Sequence, residues 1–140
     1  MKTVLFACVH NAGRSQMAAA WFNALVNPER ARGISAGTQP GTRVHPEVLV
    51  AMLEVGIDLS QATPQFLSTE LAEAATLLIT MGCGEACPAV PGLRRLDWPL
   101  EDPKGKELVR VRQIRDEVRE RVLQLLAAEG WARESATSAP

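Results

Sequence analysis

Five residues separate Cys8 from Arg14 in the stretch Cys8-Val9-His10-Asn11-Ala12-Gly13-Arg14-Ser15. A thiolate is a nucleophile, and a guanidinium is a planar fork that binds two oxygens of an anion. The stretch follows an apolar run, Val4-Leu5-Phe6-Ala7, and precedes a helix-like run starting near Ser15. A strand, a short loop and a helix N-terminus in that order suit a tetrahedral oxyanion. The backbone N–H groups of Val9, His10, Asn11, Ala12, Gly13 and Arg14 can curl inward as a nest, reinforced by the helix end. The same positive field favours the Cys8 thiolate. Gly13 is expected to let the turn take a positive φ. Asn11 is expected to brace the loop through its side chain. Ser15 is placed either to cap the helix or to donate a hydrogen bond to the thiolate. The alternative is a buried strand-end cysteine beside a surface arginine. The strand before and the helix after argue against it.

Two further thiols stand in Met81-Gly82-Cys83-Gly84-Glu85-Ala86-Cys87-Pro88. On a helical turn the pair falls at i, i+4, with roughly 5–6 Å between Cβ atoms. A disulfide needs roughly 3.5–4.5 Å, so closing one distorts the turn. Gly82, Gly84 and Pro88 make such a rearrangement feasible. Zinc requires four ligands, and only His10 and His45 remain, neither in a paired spacing. No metal site is therefore assigned. Two small buried residues remain the plain alternative for this pair.

A third segment, Asp97-Trp98-Pro99-Leu100-Glu101-Asp102-Pro103, carries three carboxylates. Proline holds the preceding Asp102 extended. A carboxyl facing the anion loop can protonate a departing oxygen. For Asp97 and Glu101 a solvated turn is the better reading.

The elements that must position these groups alternate. Val4 to Val9 reads as a buried parallel strand. A helix follows from Gln16 to about Val26, with Met17, Trp21 and Leu25 on one face. Arg32 to Ala36 is a short second strand. A second helix runs from His45 or Pro46 to Val55, with Val48, Leu49, Met52 and Leu53 inward. A short helix covers Ser68 to Ala74. Thr76 to Met81 is a third strand and Arg94 to Asp97 a fourth. The last helix spans about Glu107 to Ala128, where Val111, Ile114, Val118, Val122 and Leu125 repeat at helical steps. Its charged face reads as solvated, with ion pairs along the helix. Gly130 ends it, and residues 131–140 read as a disordered tail after a domain spanning 1–130.

This order predicts a single-domain α/β fold: an open parallel four-stranded sheet with helices on both faces. Ligands in such folds bind beyond the carboxyl ends of the strands. The three unusual loops follow strands one, three and four, so topology brings them to that edge.

The 140 residues are 46% apolar and 22% charged, with a net charge of −1, as in an ordinary soluble domain. That charge argues against a nucleic-acid or membrane-surface role. No apolar run approaches the roughly 20 residues of a membrane span. Three cysteines are too few, and odd in number, for a secreted disulfide scaffold, so a cytoplasmic protein with free thiols is expected.

Together these residues resemble the arsenate reductases built on the low-molecular-weight tyrosine phosphatase fold, over about Thr3 to Leu126. The resemblance rests on the Cys8-to-Met17 stretch, on Ser35-Ala36-Gly37-Thr38, on Thr80 to Pro88 and on Asp97 to Pro103. The anion loop is shared with true phosphatases, whereas the last two segments resemble the reductases. Such phosphatases usually follow the Asp-Pro acid with tyrosine; here Lys104 stands there and the chain has no tyrosine. They commonly carry a second cysteine in the loop, where Gly13 stands here. Relatives that bind a potassium-like cation near Asn11 use a glutamate in the first helix, and Ala19 takes that place, so no cation site is carried over.

The resemblance implies a flavodoxin-like, low-molecular-weight phosphatase-like fold and a cytoplasmic monomer that reduces arsenate to arsenite, giving arsenic detoxification. It implies that Cys8 attacks arsenate held by Arg14 and the loop amides, that Asp102 assists the leaving oxygen, and that a Cys8–Cys83–Cys87 disulfide relay is discharged by thioredoxin. No resident cofactor is implied, since reducing equivalents come from a protein or low-molecular-weight thiol. Competing expectations are a reductase coupled to mycothiol through a glutaredoxin-like partner, a low-molecular-weight tyrosine phosphatase, and a non-catalytic oxyanion sensor. The intact Cys8, Arg14 and Asp102 set argues against the sensor.

Overall fold

The computed structural model describes residues 1–82 and 90–133. Cys83 and Cys87, with the helical turn expected between them, lie outside the described residues, as do residues 134–140.

Four strands, β1 (Lys2–Cys8), β2 (Ala31–Gly37), β3 (Leu77–Thr80) and β4 (Arg94–Asp97), form one parallel sheet in the order β2-β1-β3-β4. β1 lies inside the sheet, which is why Thr3 to Cys8 are all buried. A strand covered on both faces and paired on both edges favours an unbroken apolar run over alternation. Strand order reverses between β1 and β3, and Cys8 is the last residue of β1 at that switch point.

Val4, Phe6 and Cys8 turn one way, into the larger core. There they meet α1 (Arg14–Leu25), α2 (Pro46–Leu53) and α4 (Leu108–Glu129), through Met17, Phe22, Val48, Met52, Ile114 and Val118. Phe6 sits edge-on to Phe22 at 5.6 Å between ring centroids and 5.7 Å from Trp98. Leu5 and Ala7 turn the other way with Leu78, and among the described residues α3 (Thr69–Ala74), Leu67 and the chain at Val90 and Leu93 cover that face. Ser68 caps α3, its hydroxyl accepting from the Leu71 amide at 3.1 Å. No described helix is long and apolar enough to cross a membrane.

Several boundaries and faces differ from expectation. β2 gains a residue at each end. α2 stops at Leu53, and Leu53 is exposed rather than inward, because α4 packs against the face carrying Val48, Ala51 and Met52. On α4 the charged face reaches other elements instead of pairing only along the helix. Arg110 pairs with Glu101, and Arg112 and Arg115 both pair with Glu54 on the turn after α2. Arg115 is buried, donating also to the Ala51 carbonyl at 2.9 Å.

The segment expected as a tail begins with three packed residues. Gly130 ends α4 with φ 71°, and the Trp131 ring lies 6.2 Å from Phe22. Ala132 bridges to Val26, and Arg133 donates to the Val26 carbonyl at 2.9 Å. Apolar area on Trp131 and a helix stop that folds the chain back draw 131–133 onto the end of α1.

The outer edge of β2 is occupied. The Asn23 side chain, from α1, accepts from the Gly33 amide at 2.8 Å and donates to the Gly33 carbonyl at 2.9 Å. The Gln65 side chain donates to the Ser35 carbonyl at 2.8 Å. The Gln65 carbonyl and the Leu67 amide take the two polar groups of Gly37.

Candidate active site

The Cys8 loop is built outward from its carbonyls. Those of Cys8, Val9, His10 and Ala12 accept from the amides of Thr38, Gln39, Gly41 and His45, at 2.8–3.2 Å. The Asn11 carbonyl accepts from Gln16 Nε2 at 3.1 Å, and that of Gly13 from the Met17 amide at 3.0 Å. With every carbonyl from Cys8 to Gly13 engaged, the peptide planes are fixed. Among the described residues no protein acceptor takes the amides of residues 9 to 13. Such a set of unpaired donors at a helix N-terminus is the arrangement that binds an oxyanion.

Cys8 is almost fully buried at the end of β1, and its Sγ lies 2.9 Å from Ser15 Oγ. Ser15 does not cap α1. The helix begins at Arg14, Gly13 takes the cap position without a side-chain cap bond, and the Ser15 hydroxyl turns to the sulfur instead. Asn11 Nδ2 donates to the same hydroxyl at 2.7 Å. Asn11 Oδ1 accepts from the Gln65 backbone amide at 3.0 Å and from Gln16 Nε2 at 3.2 Å. A backbone N–H can only donate, so the orientation of the Asn11 amide is settled. The Ser15 hydroxyl thus accepts a hydrogen bond from Asn11, and its own O–H is placed to donate to the Cys8 sulfur when that sulfur is ionised. A buried hydroxyl takes the acceptor at hand, and that hydrogen bond stabilises a thiolate.

Asn11 braces the loop as expected, but it also makes the turn. Its φ is 51°, in the left-handed region that asparagine tolerates better than most residues. Gly13 does not; its φ is −142°. The need for glycine there is space. A Cβ on Gly13 would sit 2.7 Å from Pro103 Cγ. The missing side chain therefore lets the acidic loop close against the anion loop.

Arg14 is buried to about nine-tenths, with Nη1 donating to the Leu100 carbonyl at 3.3 Å and Nη2 3.5 Å from Asp102 Oδ2. The Asp102 side chain is 41% exposed, and its other oxygen accepts from the Lys104 amide at 3.0 Å. Of the site residues read from sequence, Cys8, Arg14, Ser15 and Asp102 thus meet at one sheet edge with the loop Val9 to Arg14. The remaining carboxylates of the acidic loop are occupied elsewhere. Asp97 accepts from Thr80 Oγ1 at 2.8 Å. Glu101 is gripped by two Arg110 nitrogens, a contact that holds its carboxyl below the ordinary value. Both are more than solvated turn residues. Among the described residues no cluster of three or more metal-ligating side chains exists.

Gln16 and Gln65 carry no chemical signal in the sequence that marks them for the site, and Gly82 is marked there only for loop freedom beside Cys83. Gln65 lies in an irregular segment where no periodicity marks it, and it acts partly through its backbone.

Comparison with known proteins places this geometry in context. The family model for low molecular weight phosphotyrosine protein phosphatases matches residues 3–135. A putative arsenate reductase of Halobacterium salinarum is 40% identical over 128 residues, covering 86% of this chain and 87% of that protein. An arsenate reductase of Bacillus cereus is 36% identical over 125 residues, covering 86% and 91%. The structure of a thioredoxin-dependent arsenate reductase from Corynebacterium glutamicum superposes with a TM-score of 0.80 at 38% identity over 91% of this chain, which spans 61% of that longer one. An arsenate reductase in its oxidized state gives the same TM-score at 37% identity, covering 91% of this chain and 98% of that one. The chain belongs to the low molecular weight phosphotyrosine protein phosphatase family.

Proposed function

We propose that this chain is an arsenate reductase that converts arsenate to arsenite and passes the oxidation to a thiol partner. The observation that carries the thiol chemistry is the Cys8 sulfur, 2.9 Å from the Ser15 hydroxyl, at the base of an oxyanion loop. Phosphate-ester hydrolysis uses the same geometry. The relatives named arsenate reductase, at 36% and 40% identity over 86% of the chain, favour reduction.

In this reading Arg14 and the loop amides neutralise the arsenate oxygens. The Cys8 thiolate forms a sulfur–arsenic(V) bond, and one arsenate oxygen departs as water, assisted by a proton from Asp102. Cys83 then attacks the Cys8 sulfur. Two electrons pass to arsenic, arsenite leaves, and a Cys8–Cys83 disulfide forms. Cys87 attacks the Cys83 sulfur, releasing Cys8 as thiolate and forming a Cys83–Cys87 disulfide. A thioredoxin dithiol reduces that disulfide and restores the enzyme. The protein works as a cytoplasmic monomer and needs no resident cofactor.

The test supplies thioredoxin, its reductase and arsenate, and measures arsenite. Cys83→Ser and Cys87→Ser should each stop turnover, and turnover in both would sink the relay. Cys8→Ser should abolish all activity. A mycothiol and glutaredoxin-type donor in place of thioredoxin separates the two couplings. A chromogenic phosphate ester tests the phosphatase reading, which gains support if its hydrolysis outpaces arsenate reduction.

A further inference from the structure

We infer that Gly82 is a positioning residue for Arg14: having no side chain there leaves the space in which the guanidinium sits. The inference rests on the anion-loop reading above. Met81 is fully buried, and its amide donates to the Ala7 carbonyl at 2.7 Å, so the end of β3 is fixed beside β1. Gly82 comes next and turns with φ +88°. A Cβ built on it collides with Arg14 Nη1, lies 3.3 Å from Cζ and 3.6 Å from Nη2. The Nη1 end of the guanidinium therefore occupies the place that a side chain at 82 would take, while Nη1 is held by the Leu100 carbonyl and Nη2 by Asp102. Arg14 is clasped between the loops that follow β3 and β4.

The two walls differ in how they can yield. The backbone at residue 82 follows directly from the anchored Met81. The Arg14 guanidinium is the far end of a flexible side chain. A side chain at 82 is therefore accommodated by moving the guanidinium, and the cost falls on anion binding more than on folding. A fork turned off its bidentate geometry loses one of its two charge-assisted hydrogen bonds to the anion.

Gly92 supplies the matched control. Its φ is +80°, so alanine is strained there to a similar degree, but a Cβ meets nothing within 4 Å. Each variant is made in the full chain carrying Cys83→Ser and Cys87→Ser, so that Cys8 is the sole thiol. The dissociation constant for inorganic phosphate is read from protection of Cys8 against iodoacetamide, and Tm is recorded alongside.

Gly82→Ala is expected to weaken phosphate binding at least tenfold while lowering Tm no more than Gly92→Ala does. Gly92→Ala should leave phosphate binding within twofold. In an Arg14→Lys background, where the fork is already gone, Gly82→Ala should cost less than twofold further. If Gly82→Ala alone fails to fold, the Gly82→Ala/Arg14→Ala pair should fold, because the shorter side chain vacates the space. Unchanged phosphate affinity in Gly82→Ala, an equal loss in Gly92→Ala, a full penalty in the Arg14→Lys background, or a double variant that still fails to fold would each overturn the inference. Phosphate protection that is absent from the parent chain overturns the anion-loop reading and this inference together. Protection that is present in the parent and survives Gly82→Ala overturns this inference alone.

Discussion

Asn11 Nδ2 donates to the Ser15 hydroxyl across 2.7 Å, and the bond runs in that direction because the Gln65 backbone amide occupies Asn11 Oδ1. The consequence reaches the sulfur of Cys8, 2.9 Å further on. A hydrogen bond to an ionised group contributes more than a neutral one, roughly 1.5–3 kcal/mol. Ser15→Ala removes it. At pH 7 the rate of Cys8 alkylation by iodoacetamide, measured with Cys83 and Cys87 replaced by serine, should fall by about tenfold or more. An unchanged rate would mean that the hydroxyl does not stabilise the thiolate.

Gly13 and Pro103 make a second steric contact with a measurable cost. Alanine at 13 would bring Cβ to 2.7 Å from Pro103 Cγ, so the acidic loop must retreat and take Asp102 with it. Gly13→Ala should lower kcat for arsenate reduction by about tenfold or more, a part of the roughly hundred- to ten-thousandfold that a positioned proton donor contributes. The Gly13→Ala/Pro103→Ala pair should recover part of that loss, because the obstructing ring carbons are gone. Steady-state kinetics on the two variants decide it. A double variant no better than the single would point to damage within the anion loop itself.

Glu54 ties α2 to α4 and gives the fold a pH dependence of definite sign. Hydrogen bonding to Arg112, with further contributions from Arg115, holds its carboxyl below the ordinary value of 4.5 despite the opposing desolvation. A carboxyl whose value is depressed by folding contributes stability above its unfolded value, and that contribution fades as pH falls through the folded one. Glu54→Gln should therefore lower Tm at pH 7, partly by leaving the buried Arg115 with fewer acceptors. The difference from the parent should shrink once pH drops below 4.5. A gap that stays constant between pH 7 and pH 3 would show that packing, and not charge, sets the effect.

Ile114 is fully buried on α4, in the larger core. Ile114→Ala should cost about 3 kcal/mol, combining lost transfer energy with the cavity left behind. Urea unfolding should show a lower midpoint with an unchanged slope.

β1 and β3 were legible as short apolar runs, whereas Arg94–Asp97 carries three charged residues around Leu96 and was readable only through its place in the alternation. Leu77–Thr80 and Arg94–Asp97 stand where Thr76–Met81 and Arg94–Asp97 were expected. The parallel order then followed from alternation with helices. Cys8, Arg14, Ser15 and Asp102 were legible because type and spacing carry their chemistry. The inward face of α2 was less so, since Leu49 and Leu53 are as apolar as Met52 and only the approach of α4 decides which of them is covered. Gln65 was invisible for another reason. Its contact with Asn11 comes from the backbone, across 54 positions, and any residue with an amide could make it. The role of Gly13 was readable as a requirement for glycine, but its cause was not, because Pro103 lies ninety positions away and reaches it only in three dimensions.

Asn23 acts on β2 as a strand of one residue. Its carboxamide returns to Gly33 the same donor and acceptor that a neighbouring peptide would, and Gln65 and Leu67 continue the seal to Gly37. The rim of a sheet is where foreign chains add themselves and where aggregates begin. Here that rim is finished from within by a helix side chain and a passing loop. The sheet keeps its four-strand width, and association by strand addition along β2 has no backbone groups at Gly33 or Gly37 to start from.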